Sequence, residues 1–172
     1  NRLLKSKNFY SSFLQYKYIL IAQLDCLVLR DELDHWCDLG YSYIGAPWFE
    51  GDANPAPGAN FIGVGNGGFS LRHVDHHIRV LSSFRYLPYK FPRKNAHNYI
   101  LKAAKYAKHE VIFAFSKPPL MCSANEDAFW GMAVPPEYDY FRIPSPHEAL
   151  SFSFEVNPRR MYQQTSSTKA CC

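Results

Sequence analysis

Residues 18–24, Tyr-Ile-Leu-Ile-Ala-Gln-Leu, form a nearly continuous apolar run that stops at Asp25. A run of this length is the pattern of a central strand buried on both faces. Around it, strand-like and helix-like stretches alternate, which indicates an α/β domain. In such sheets ligands bind where strands end and loops gather, so the polar residues at those ends are the ones to examine.

Upstream, Leu3, Leu4, Phe9, Phe13 and Leu14 recur at helical spacing and predict an amphipathic helix over 2–15. Downstream, Leu27-Val28-Leu29 leads into a helix from Asp31 to Leu39, with Gly40 as its stop. Tyr41 to Gly45 reads as a strand, and 46–62, rich in Pro and Gly, as a long loop. Val64 to Leu71 then reads as a strand with a glycine-rich start and Arg72 to Phe84 as a helix. Further helices are expected at about Asn95–Lys108, Asn125–Met132 and Pro146–Phe152, with a short strand at Val111–Phe115. The chain from Glu155 is polar and is expected to be loose, giving one domain over 1–158 and a tail over 159–172.

Composition sets outer limits. Apolar residues make up 47% and charged residues 20% of the 172, a globular balance that excludes disorder. The net charge of +4 is scattered; only Lys102, Lys105 and Lys108 are regularly spaced, as on a solvated helix face. With no basic-aromatic motif beside it, that charge does not point to nucleic acid, whereas a mild positive balance suits an anionic donor. No apolar run is long enough to span a membrane. The five cysteines form no framework: Cys26, Cys37 and Cys122 read as buried thiols, Cys171 and Cys172 as exposed ones. His73, His76 and His77 share one face of the predicted helix and are expected on its solvated side rather than on a metal. His147 reads as a helix-start residue.

Three constellations have a chemical alternative to a structural role. Asp25 ends the apolar strand, where a carboxylate either meets a metal–diphosphate or simply terminates the strand. Residues 63–68 hold four glycines in a strand pattern, which suggests a bulge, a tight crossing, or backbone approaching a ligand. No Gly-Lys-Ser/Thr follows, so this is not a P-loop. Asn125-Glu126-Asp127 opens a helix, with Asn125 as a good cap and both carboxylates favoured by the helix dipole. Adjacent carboxylates also point in different directions, so one can face a cleft while the other makes structural bonds. Trp130, one turn on, is a candidate wall for a sugar ring. Trp48 and Phe49 either wall an acceptor site or pack under the long loop.

In order and spacing, Asp25, Ile44-Gly45-Ala46-Pro47-Trp48, Gly65-Asn66-Gly67-Gly68-Phe69-Ser70-Leu71-Arg72 and Asn125-Glu126-Asp127-Ala128-Phe129-Trp130-Gly131 resemble a bacterial and eukaryotic family of glycosyltransferase-like proteins formerly catalogued as a domain of unknown function. The resemblance runs from about residue 2 to Arg159. It implies a GT-A fold, a mixed sheet flanked by helices, and transfer of a sugar from a nucleoside-diphosphate donor to an acceptor hydroxyl, with inversion. It further implies Asp127 as general base beside Glu126, with Asn66, Gly67 and Gly68 lining the donor and acceptor side. Asn125, Trp48 and Trp130 join them as contacts, and Asp25 takes the metal-diphosphate position with a divalent cation, manganese or magnesium. Where the usual metal motif is Asp-x-Asp, Gln23 stands two residues before Asp25, leaving a single carboxylate. The few residues before Asp25 are expected to lack the nucleotide-binding strands of that fold. The competing expectation is a carbohydrate-binding or regulatory domain that keeps the fold without the chemistry.

Overall fold

A computed structural model describes residues 2–51, 54–83 and 125–169, with side chains as far as Gln163. The helix and strand expected at 95–108 and 111–115, and Cys122, Cys171 and Cys172, lie outside the described residues. What is described is mixed α and β: two small antiparallel sheets with helices around them.

The predicted helix over 2–15 is broken into a 3-10 turn at Leu3–Lys5 and α1 at Lys7–Ser11, because Ser6 between them has extended backbone. The apolar run forms β1, Tyr18–Ala22, but it is not the central strand of the described sheet. That position belongs to β5, Phe69–His73, which pairs with β1 on one side and with β2, Tyr43–Ile44, on the other. The burial agrees: Ser70, Leu71 and Arg72 in β5 are buried, whereas β1 is half-buried. Cross-strand partners Ile19↔Arg72, Leu20↔Leu71 and Ile21↔Ser70 fix the register. Between β1 and β2 lies α2, Leu33–Asp38, stopped at Gly40 with φ +71°.

The segment predicted as one long loop contains β3, Pro47–Phe49, which pairs with β4, Phe61–Val64, in the second sheet. The strand predicted over 64–71 is likewise two strands, β4 and β5, because the chain turns at residues 65–68. Asn66 sits there at φ 68°, and its Oδ1 accepts from the backbone N–H of Gly68 at 2.9 Å and of Phe69 at 3.2 Å. A side chain of this kind closes a turn that most residues cannot enter.

After the turn, α3 spans Val74–Ser83. The Asn-Glu-Asp motif opens α4, Glu126–Ala128, which continues as a π-helical turn over Phe129–Ala133. Then α5, Pro146–Phe152, is capped by Ser145 Oγ, which accepts from the Glu148 N–H at 3.3 Å. The expected loose tail is instead a docked helix, α6, Pro158–Lys169. Met161 is fully buried beside Phe49 and Leu150. Arg160 lies 4.2 Å from the Phe49 ring centroid and donates to the carbonyls of Ala56 at 3.0 Å and Ala59 at 3.2 Å. One apolar anchor and one pinned cation hold a helix whose composition is otherwise polar.

The main core joins Tyr10, Tyr43, Val64, Val74, Val80, Phe129, Trp130 and Phe141. It draws on α1, β2, β4, α3 and the π turn, so residues far apart in sequence converge beneath the 65–68 turn. No described helix is long and apolar enough to cross a membrane.

Candidate functional site

The turn at 65–68 brings two of the three constellations against the third. On one side, Asn66 and Gly68 line an open groove of about 710 Å³ with Gln23 and Asp25. On the other, Gly67 meets the Glu-Asp pair: an added Cβ there would collide with Glu126 Oε2 and come within 3.8 Å of the Asp127 Cβ. At Gly68 it would lie 2.8 Å from Gln23 Oε1. These glycines are thus positions of close approach. Gly65 and Gly131 serve packing, since added Cβ atoms would strike the Trp48 ring and the Val64 carbonyl. Trp48, half-buried, packs on the Gly65 backbone, which answers to packing rather than to an acceptor wall.

The two adjacent carboxylates have different surroundings. Glu126 is buried and forms an ion pair with Arg72 Nη1. Arg72 is itself fully buried, fourth of the five residues of β5. Its Nε and Nη2 donate to Ser70 Oγ at 3.0 and 2.9 Å, its Nη1 donates to Tyr10 Oη at 2.9 Å, and its guanidinium lies 5.4 Å from the Tyr43 ring centroid. Burial raises the Glu126 carboxyl above the usual carboxylate range, and Arg72 opposes that rise without cancelling it. Burial likewise pushes the Tyr10 phenol up to about 12, so it stays a neutral donor, with its O–H directed to the Leu4 carbonyl at 2.9 Å. Asp127 is only half-buried; its Oδ1 accepts from the Ala128 N–H at 2.8 Å. Asn125 occupies the cap position and is exposed, but its side chain makes no capping bond; only its carbonyl enters the helix, accepting from the Phe129 N–H at 2.9 Å.

Trp130 is not a cleft wall. It is fully buried, its Nε1–H donates to the Leu4 carbonyl at 3.0 Å, and its ring packs on His77 and Phe141. The histidines are not on a solvated face either. His77 is fully buried, and His73 and His76 are half-buried with rings stacked 3.8 Å apart. Burial lowers the pKa of all three, that of His73 to about 4.

The groove itself runs between the segment 23–33 and the segment 150–155. Its apolar walls include Trp36, Phe69, Phe152 and Phe154, with Leu27, Val28 and Leu29 exposed along one side. Its charged residues are Asp25, Glu32, Glu155 and Arg30, the last 3.4 Å from Glu32. Among the described residues no three His, Cys, Asp or Glu side chains gather as a metal set. A single carboxylate at Asp25, with Gln23 near it, fits an ion that arrives with a diphosphate rather than a resident one. Cys26, half-buried, sits beside them with its Sγ 3.4 Å from the Gly68 carbonyl.

Arg72, Tyr10 and Tyr43 are not singled out by the sequence pattern, in which Arg72 reads as a helix start. The available signal was an arginine at the end of an apolar strand together with a Glu-Asp pair elsewhere, since a buried cation requires a partner. A family model described as "Protein of unknown function (DUF5672)" matches residues 1–172. No curated protein and no solved structure matches the chain.

Proposed function

The chain belongs to the DUF5672 family, and we propose that it is a glycosyltransferase of GT-A type that moves a sugar from a nucleoside-diphosphate donor to an acceptor hydroxyl with inversion. The observation that carries this reading is the turn at 65–68, which abuts the Glu-Asp pair through Gly67 and lines the Asp25 groove through Asn66 and Gly68. Asp127 is the general base. It is the carboxylate left accessible, while Glu126 is committed to Arg72. As the acceptor oxygen bonds to the anomeric carbon, its proton passes to Asp127, the bond from that carbon to the diphosphate oxygen breaks, and the electron pair leaves with the diphosphate. The donor brings its own divalent cation, which Asp25 would hold and which would offset the charge on the departing group. Gly67 and Gly68, lacking side chains, let Glu126 and Gln23 approach the backbone of the turn that lies between Asp25 and Asp127.

A second reading, a carbohydrate-binding domain without transfer chemistry, is favoured by the charge of the groove. Three carboxylates and one arginine make a poor host for a bare diphosphate, whereas apolar and aromatic walls suit a neutral sugar face. One assay separates the two. The protein in its full-length form is incubated with manganese, a panel of nucleoside-diphosphate sugars and hydroxyl acceptors, and release of nucleoside diphosphate is followed. Transfer by the wild type and a fall of about two to four orders of magnitude in turnover for Asp127→Asn are expected, with donor affinity near normal. Glu126→Gln should act mainly on stability. Saturable sugar binding without any release of nucleoside diphosphate would refute the transferase in favour of the binding domain.

A further inference from the structure

We propose that Arg72 is a positioning residue which, through Glu126, fixes both the 65–68 turn and the neighbouring Asp127. Only its turnover arm rests on the glycosyltransferase reading. Every nitrogen of the guanidinium is engaged: Ser70 Oγ takes Nε and Nη2, while Tyr10 Oη and Glu126 take Nη1. The carboxylate so held fills the space against Gly67, where a Cβ would strike Oε2. Tyr43, whose ring lies 5.4 Å from the Arg72 guanidinium, donates its Oη–H to the Asn66 carbonyl at 3.3 Å, and Asn66 Oδ1 closes the turn onto Gly68 and Phe69. The turn is therefore held by one buried cluster, the ion pair against Gly67 and the Tyr43 phenol on the Asn66 carbonyl, which together act as a clamp. Asp127 follows Glu126 directly in the chain, so its placement against Gly67 depends on the same clamp.

Stability does not explain this arrangement. Desolvating two charges commonly costs as much as their attraction returns, and apolar replacements of both are often neutral or stabilising. What an ion pair supplies and an apolar pair does not is direction, since a planar fork and a carboxylate meet in one geometry. Removing Arg72 alone would leave Glu126 buried without its counter-ion, so the informative variant replaces both.

The test compares wild type with the double variant Arg72→Met, Glu126→Leu by thermal melting, by amide hydrogen exchange and by donor kinetics. The double variant is expected to melt cooperatively near the wild-type temperature. Exchange at the Gly68 and Phe69 amides should nonetheless accelerate about tenfold, because local opening becomes easier at equal global stability. Turnover should fall about a hundredfold with donor KM unchanged, the usual consequence of misplacing a reacting group by about an ångström. Exchange at Gly68 and Phe69 equal to wild type in the folded double variant overturns the proposal, whatever the activity. Accelerated exchange in a protein whose wild type transfers no sugar leaves the clamp standing and refutes the glycosyltransferase reading instead. Should the double variant not melt cooperatively, Arg72→Lys carries the test. It keeps the charge beside Glu126 and loses the fork, so accelerated exchange at the same amides supports the proposal and unchanged exchange overturns it.

Discussion

Lowering the pH from about 7.5 to about 5.5 should destabilise the fold through His77, which is buried between the rings of Tyr10 and Trp130, with centroids 4.7 and 4.2 Å away. Its Nδ1–H donates to the His73 carbonyl at 2.9 Å, and its buried Nε2 has no hydrogen-bond partner among the described residues. A proton on Nε2 would therefore be a buried charge without an acceptor, close to Arg72. Burial first, and the Arg72 guanidinium second, hold the ring neutral well below the ordinary histidine range. In the unfolded chain the ring titrates at about 6.5. A depressed folded pKa contributes stability that is present above about pH 6.5 and lost as the pH falls toward the folded value. For one histidine that protonates only in the unfolded state, the loss is RT times the logarithm of about 11 at about pH 5.5, or about 1.4 kcal/mol. His73 and His76, also lowered by burial, act in the same sense. Glu126, raised by burial, acts in the opposite sense: its contribution is present at low pH and lost as the pH rises through its folded value. His77→Phe removes one term and leaves the others. Urea unfolding of both proteins at the two pH values should show wild type losing about 1.4 kcal/mol more than the variant. Equal losses would refute the buried neutral imidazole.

Gly67→Ala should lower stability by about 1–3 kcal/mol in the same urea assay, because the new methyl displaces the Glu126 carboxylate; Gly68→Ala should cost less, since it meets the end of the Gln23 side chain. Met161→Ala should cost about 2–5 kcal/mol in urea unfolding if α6 is docked as described, and a change within experimental error would restore the loose tail. Asp25→Asn should weaken manganese-dependent binding of a nucleoside diphosphate in calorimetry while leaving the melting temperature unchanged, since Asp25 is exposed in the turn beyond β1. A drop in melting temperature with affinity retained would assign Asp25 to strand termination.

How much of this was legible in sequence depends on whether a residue's role is local. Pro146–Phe152 is read correctly because its cap, Ser145, and its proline sit beside it. Gly40 ends α2 for a reason visible in the residue itself, its positive φ. The strand expected at 64–71 fails because its break is made by one asparagine in the left-handed region, a role that composition does not single out from ordinary strand polarity. The central position of β5 over β1 is decided by pairing on both edges, and apolar content favours the wrong strand. Docking of α6 hangs on Met161 and Arg160 meeting Phe49 and the 56–59 carbonyls across about a hundred residues of sequence, far beyond any periodicity window. At the site, the three constellations are visible as residue types, while the turn that joins two of them to the third is visible only in space.

The division of labour between Glu126 and Asp127 shows why adjacency in sequence is a poor guide to shared chemistry. On a helical turn neighbouring side chains diverge by about 100°, so two consecutive carboxylates are sorted by whatever lies on each side. Here one side holds Arg72, a cation that cannot give up its proton and cannot leave the core. A carboxylate facing it is constrained to remain as a counter-ion, and a group that must gain and lose a proton each turnover is ill-suited to that post, because protonation would strand the guanidinium. The other carboxylate, half-buried, carries no such obligation. On the proposed transfer, proton abstraction at this motif is therefore assigned to Asp127, with Glu126 keeping Arg72 paired.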